Sequence, residues 1–146
     1  MRFFHSCEVR RDFPQLAAGF VVAKGITATA DTRRSAARLI SIAQIRLTSD
    51  QEGEWPEIQA WRRAFSQMGL KPTQYRCASE ALLRRLRQEG DLPSIHPLVD
   101  LCNAASAAYG IPVAAFDMDR VSGSLEVRPA LGDEIYETFD GRQEQP

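Results

Sequence analysis

Asp100, Cys102 and Asn103 set a carboxylate, a thiol and a carboxamide within four residues of one another. A carboxylate there can activate a water, or it can complement a helix dipole as acids near helix starts do. The thiol attacks only as a thiolate, and no neighbouring base stands out, so a small buried residue is the competing reading of Cys102. The Asn103 carboxamide can line a pocket or hydrogen-bond a loop. A second group is basic: Arg62, Arg63, Lys71, Arg76, Arg84, Arg85 and Arg87 face the single acid Glu80 between positions 62 and 87. Such a stretch can bind a polyanion, because each neutralised phosphate releases counterions, or it can be a solvated helix face. Lys71, Tyr75 and Arg76 fall on a link where phosphate contacts are easily arranged, and Tyr75 can stack on an exposed base.

Other reactive residues point elsewhere. His96 lies in the turn-rich GDLPSIHP and can be a general base or a loop histidine. Asp117 and Asp119 form a D-x-D turn, which usually bonds its own backbone instead of a metal. With three cysteines (Cys7, Cys77, Cys102) and two histidines in no paired spacing, no metal site and no cofactor are expected. Unpaired cysteines fit a reducing cytoplasm.

The elements that must hold these residues alternate irregularly. Leu16 to Lys24 (LAAGFVVAK) is an apolar run expected as a buried strand. A helix follows from Thr32, capped by Asp31 or Thr32, with Ala36, Leu39, Ile40, Ala43 and Leu47 on one stripe. A second starts near Pro56 and carries Ile58, Trp61, Phe65 and Met68 at helical spacing, so Trp61 and Phe65 read as core; Gly69 ends it. A third is expected over Cys77 to Gln88, with Ala78, Leu82 and Leu86 inward and the arginines outward. A fourth has Leu98, Leu101, Ala105 and Ala108 inward, with small residues suited to close approach to a sheet, and Gly110 ends it. Val113–Phe116, Ser124–Val127 and Glu134–Phe139 complete the strands. The fold class is therefore α+β with mixed layers.

The chain has 146 residues, 44% apolar and 25% charged, with a net charge of −1, and reads as one domain over residues 1–146. No apolar run is long enough to span a bilayer, and MRFFHSCEVRRDF carries charges where a secretory signal needs an apolar core.

Over residues 98–141, Val99, Asp100, Asn103, Pro112, Ala115, Phe116, Asp117, Asp119, Gly123, Val127, Arg128, Ala130, Gly132, Asp140 and Gly141 follow one another in a distinctive order. That order resembles the pattern V-D-x-T-N, P-x-H-A-F-D-x-D, a glycine-containing hairpin, V-R-x-A, G-E and a closing D-G turn of the tRNA-editing (B3/B4) domain in the phenylalanyl-tRNA synthetase β subunit. A leader similar to that of free-standing relatives adds Trp61, Arg62, Ala64, Phe65, Gly69, Lys71, Pro72, Thr73, Tyr75, Arg76 and Glu80 through Arg85. The likeness covers residues 54–141, and the family's further strands after the D-G turn are missing here, so the chain reads as short at its C-terminus. The resemblance implies a pocket that hydrolyses a mischarged aminoacyl ester, for which a positioned water suffices. The family threonine falls on Cys102 and the family histidine on Ala114. Pocket candidates are thus Asp100, Cys102, Asn103 and Ala114, between the Val99–Gly110 helix and the Val113–Phe116 strand, with no catalytic residue assigned. Lys71, Tyr75, Arg76, Arg84 and Arg85 are the expected tRNA contacts. The expectation is a tRNA-binding domain that hydrolyses mischarged aminoacyl-tRNA in trans, with tRNA or aminoacyl-tRNA as partner and no membrane. The alternatives are a non-catalytic tRNA-binding module and a small-molecule amino-acid-binding domain.

Overall fold

The computed structural model describes residues 2–138 and 140–145. In chain order the elements are β1 (Arg2–His5), α1 (Cys7–Asp12), α2 (Arg33–Ser49), α3 (Pro56–Gln67), α4 (Ala78–Glu89), α5 (Pro97–Tyr109), β2 (Ser124–Val127), β3 (Tyr136–Glu137) and β4 (Gln143–Glu144). Short 3-10 turns cover Glu52–Glu54 and Met118–Arg120. Helices with small two-stranded sheets make the α+β class. The chain divides into two compact units, Val21–Ala115 and Met1–Phe20 with Phe116–Pro146.

The Val21–Ala115 unit is helical. Its core is Ala43, Trp55, Ile58, Cys77, Leu83, Leu86 and Ala107, with Ile40, Leu47, Trp61, Phe65 and Leu92 packed against it. Proline at the first position of both α3 and α5 starts a helix without wasting a donor. The stripe expected on α2 is its protected face, centred on buried Ala43. Arg46 joins three elements: it sits 3.7 Å from the Trp55 ring centroid and donates to both Glu57 oxygens at 3.1 Å and to Ala108 O at 3.1 Å.

Two helix faces differ from their expected registers. On α4 the buried residues are Ser79, Glu80, Leu83 and Leu86, whereas Ala78 is exposed. Cys77 is the residue before the helix, which starts one position after the expected start. Ser79 then donates to Gly110 O at 3.0 Å and Glu80 meets arginines, which makes a polar inner face tolerable. On α5 the buried set is Ala104, Ser106, Ala107 and Ala108. Its small residues approach α2, the helix it meets most extensively, instead of a sheet.

Gly110 closes α5 with φ of +66°. A Cβ there would lie 3.2 Å from Glu57 Cβ and 3.5 Å from Trp55 Cε3. Gly110→Ala is therefore expected to cost about 2 kcal/mol, the left-handed penalty plus crowding, read as a lowered urea midpoint at unchanged slope. A loss under about 0.5 kcal/mol would show that the turn relaxes freely.

In the other unit β1 pairs with β2 in parallel, from Arg2 opposite Ser124 to His5 opposite Val127. Ser6 caps α1 by accepting from Val9 N at 3.3 Å. β3 and β4 form an antiparallel hairpin, closed by Gly141 N donating to Thr138 O at 2.9 Å. The expected strand Glu134–Phe139 shrinks to β3, and Phe139 lies outside the described residues.

The two other expected strands do not form. Residues 16–24 make no strand, with Phe20 79% and Val21 92% exposed, and residues 113–116 are irregular and exposed. An apolar run becomes a strand only when a neighbour completes its hydrogen-bond ladder, and no described strand lies beside either run. No helix among the described residues is long and apolar enough to cross a membrane.

Candidate functional site

The loop before α5 is organised by Asp100. Its Oδ1 accepts from Ile95 N at 2.8 Å and His96 N at 3.2 Å, and its Oδ2 from the Ser94 hydroxyl at 2.7 Å. The Ile95 amide and then the Ser94 hydroxyl hold this carboxyl below the usual carboxylate range. A carboxylate so engaged is a poor base. His96 caps α5, its Nδ1 accepting from Leu98 N at 3.2 Å, so that nitrogen is occupied as well. The lowered Asp100 value fixes a sign: the bonds add stability above the ordinary carboxyl range and lose it as pH falls through the lower folded value. Asp100→Ala is expected to cost about 1 kcal/mol at neutral pH, given its partial exposure, a cost that fades as the pH falls through the lowered folded value of Asp100. Thermal melts of both proteins over a pH series check it; a gap persisting under acid would assign the loss to packing.

Cys102 is half-buried, and desolvation raises its thiol above the ordinary value, so it stays protonated. Asn103 is half-buried and its amide makes no hydrogen bond among the described residues. Ala114 sits exposed in the irregular segment after Gly110. Thus Asp100, Cys102 and Asn103 ride one helix, but the expected strand wall at 113–116 does not form. Two surface concavities, one of about 250 Å³ beside Ile45, Trp55 and Pro56 and one of about 280 Å³ beside His5, Val9 and Phe13, include none of the four. Asp117 accepts from Asp119 N at 3.1 Å, the turn bond its spacing suggested. Among the described residues no cluster of three His, Cys, Asp or Glu side chains is placed to hold a metal.

Four of the seven basic residues, Arg62, Arg76, Arg84 and Arg87, converge around two buried carboxylates. Glu80, 0% exposed, takes Arg62 Nη2 at 2.6 Å and Nε at 3.2 Å, with Arg76 Nε at 3.6 Å. Glu52, 4% exposed, takes Arg87 Nε at 2.9 Å and Nη2 at 3.2 Å, with Arg84 Nη1 at 3.7 Å. Arg62 also lies against Gly53, where a Cβ would be 2.9 Å from its Nη2, so the two groups adjoin. Arg76 further donates to Thr73 O at 2.7 Å, and Arg85 pairs with Glu89 at 2.8 Å. Lys71 and Tyr75 are exposed and make no side-chain bond among the described residues. The expected contacts therefore fall into three kinds: Lys71 and Tyr75, with no side-chain bond to another described residue; Arg76 and Arg84, anchored on buried carboxylates; and Arg85, in an exposed pair with Glu89. Neither Glu52 nor the anchoring of Arg62 and Arg87 is visible in the sequence pattern. The lone acid among seven bases is the available signal for Glu80.

Residues 60–146 match the B3/4 domain. The chain is 34% identical over 74 residues to the phenylalanine–tRNA ligase β subunit of Photorhabdus laumondii, covering 51% of this chain and 9% of that protein. It is 40% identical over 62 residues to that of Tropheryma whipplei, 42% of this chain and 6% of the relative. It is 43% identical over 59 residues to that of Coxiella burnetii, 40% and 7% respectively. The chain spans less than a tenth of the length of these curated relatives. No solved structure matches it.

Proposed function

The chain belongs to the B3/4 domain family, and from that premise we propose that it binds aminoacyl-tRNA and hydrolyses a mischarged amino acid from it in trans. The observation that carries the reading is the exposed Lys71–Tyr75 link beside the arginine cluster, in a chain similar to tRNA ligase subunits. Lys71 supplies a free cation for a phosphate, and Tyr75, 51% exposed, supplies a ring for an unpaired base of the acceptor end. The bound water attacks the ester carbonyl; the amino acid leaves as its acid and the tRNA regains its ribose hydroxyl. The ester is already activated, so orientation is the main requirement. Asn103, whose amide engages no other described residue, is suited to orient the water or the carbonyl. Asp100 and Cys102 support the site structurally, and Ala114 contributes only space.

A second reading, a non-catalytic tRNA-binding module, is favoured by the engaged Asp100 carboxylate and the protonated Cys102 thiol. Incubating the purified chain with a panel of mischarged tRNAs separates the two. Release of one amino acid well above spontaneous hydrolysis, diminished by Asn103→Ala, is the expected result. Salt-sensitive binding without release leaves the binding module, and absence of both discards the tRNA reading.

A further inference from the structure

We propose that Glu52 and Glu80 act as buried positioning residues that hold Arg62, Arg76, Arg84 and Arg87 as a preformed ledge for the phosphodiester backbone of the bound tRNA. This rests on the tRNA reading above and specifies how that ligand is gripped. Glu80, Arg84 and Arg87 follow one another at steps of four and three residues along one face of α4, and Arg76, just before the helix, joins them through Glu80 at 3.6 Å. Arg62 and Glu52 reach that face from α3 and from the 3-10 turn before it. Four guanidiniums against two carboxylates leave an excess of two positive charges. The carboxylates are enclosed while the arginine side chains stay 32–40% exposed, so the outward side of the cluster is cationic.

A guanidinium has five donors, and each carboxylate here engages at most two of them on any one arginine. The remaining donors can form the paired N–H bonds that phosphate oxygens accept. Anchoring also removes rotamer freedom before the ligand arrives, so less is lost on binding. A network serving stability alone needs no cationic surplus, and matched pairs would suffice.

The test exchanges one ion pair for a neutral pair, Glu52→Gln with Arg87→Gln, which leaves net charge unchanged. Binding of unmodified tRNA is measured from low to high salt, with circular dichroism confirming the fold. The wild-type chain is expected to bind with salt-dependent affinity. The double variant is expected to show a slope lower by about 1, because it neutralises one phosphate fewer. Equal slopes and affinities in the two proteins would overturn the ledge and leave the tRNA reading standing. No salt-dependent binding by the wild-type chain would overturn both. Should the variant fail to fold, arginine-selective modification of the wild-type protein by phenylglyoxal gives the answer. Protection of Arg84 and Arg87 by tRNA supports the ledge, and equal modification with and without tRNA overturns it.

Discussion

Arg62→Ala is expected to lower the unfolding free energy by about 3 kcal/mol. The cause lies in what is left behind. Glu80 is fully enclosed, and Arg62 supplies its two shortest contacts; after truncation the carboxylate keeps only Arg76 at 3.6 Å among the described residues. Stranding a buried charge costs about 3–5 kcal/mol, and the partial exposure of Arg62, which admits water to the vacated space, puts this case at the low end. Glu80→Gln is expected to cost less, because the released arginines can turn to solvent while the amide still accepts a bond. Glu80→Gln in the Arg62→Ala background should recover part of the loss, since it removes the stranded charge. Urea unfolding of the four proteins checks the order. A cost under about 1 kcal/mol for Arg62→Ala would mean that water reaches the Glu80 carboxylate and takes over its hydrogen bonds.

The second large effect is on binding. Lys71→Ala with Tyr75→Ala is expected to weaken tRNA binding about fiftyfold or more at low salt, since one base–aromatic stack alone accounts for about 1–3 kcal/mol. Removing the Lys71 cation adds to this and lowers the salt slope by about 0.9. Neither side chain bonds another described residue, so the melting temperature should hardly move. Binding and folding are thereby separated, whereas alanine at Arg76 or Arg84 would strip partners from buried Glu80 or Glu52 and confound the two. Filter binding or fluorescence anisotropy over a salt series reads both affinity and slope. Affinity within twofold of the wild type, with an unchanged slope, would place the tRNA surface elsewhere.

The W-R…K-P-T-x-Y-R…E leader, whose Lys71, Tyr75 and Arg76 read in sequence as tRNA contacts, has a structural meaning as well. Arg62 and Glu80, 18 residues apart, meet with Arg76 in one cluster. Part of that motif thus builds a buried ion-pair cluster, and its Lys71 and Tyr75 stay exposed with no side-chain bond to another described residue. The V-D of the second motif behaves similarly: Asp100 ties down the turn from Ser94 to His96 and so sets where α5 begins.

Local sequence sufficed for the four long helices, the Pro56 start, the glycine stops at Gly69 and Gly110, the α+β class and the family, because helix periodicity and terminal signals are properties of a few neighbouring residues. It also sufficed for the self-bonding Asp117–Asp119 turn and for the turn at Asp140-Gly141. Which apolar runs become strands was settled only by the assembled chain. LAAGFVVAK has the composition of a strand and stays unpaired, whereas RFFH, with no distinguishing pattern, pairs with Ser124–Val127 from the far end of the sequence. Packing likewise placed Glu52 and Glu80 beneath the arginines and set α5 against a helix instead of a sheet. Strand ladders and buried ion pairs need a partner distant in the chain, and no local pattern names that partner.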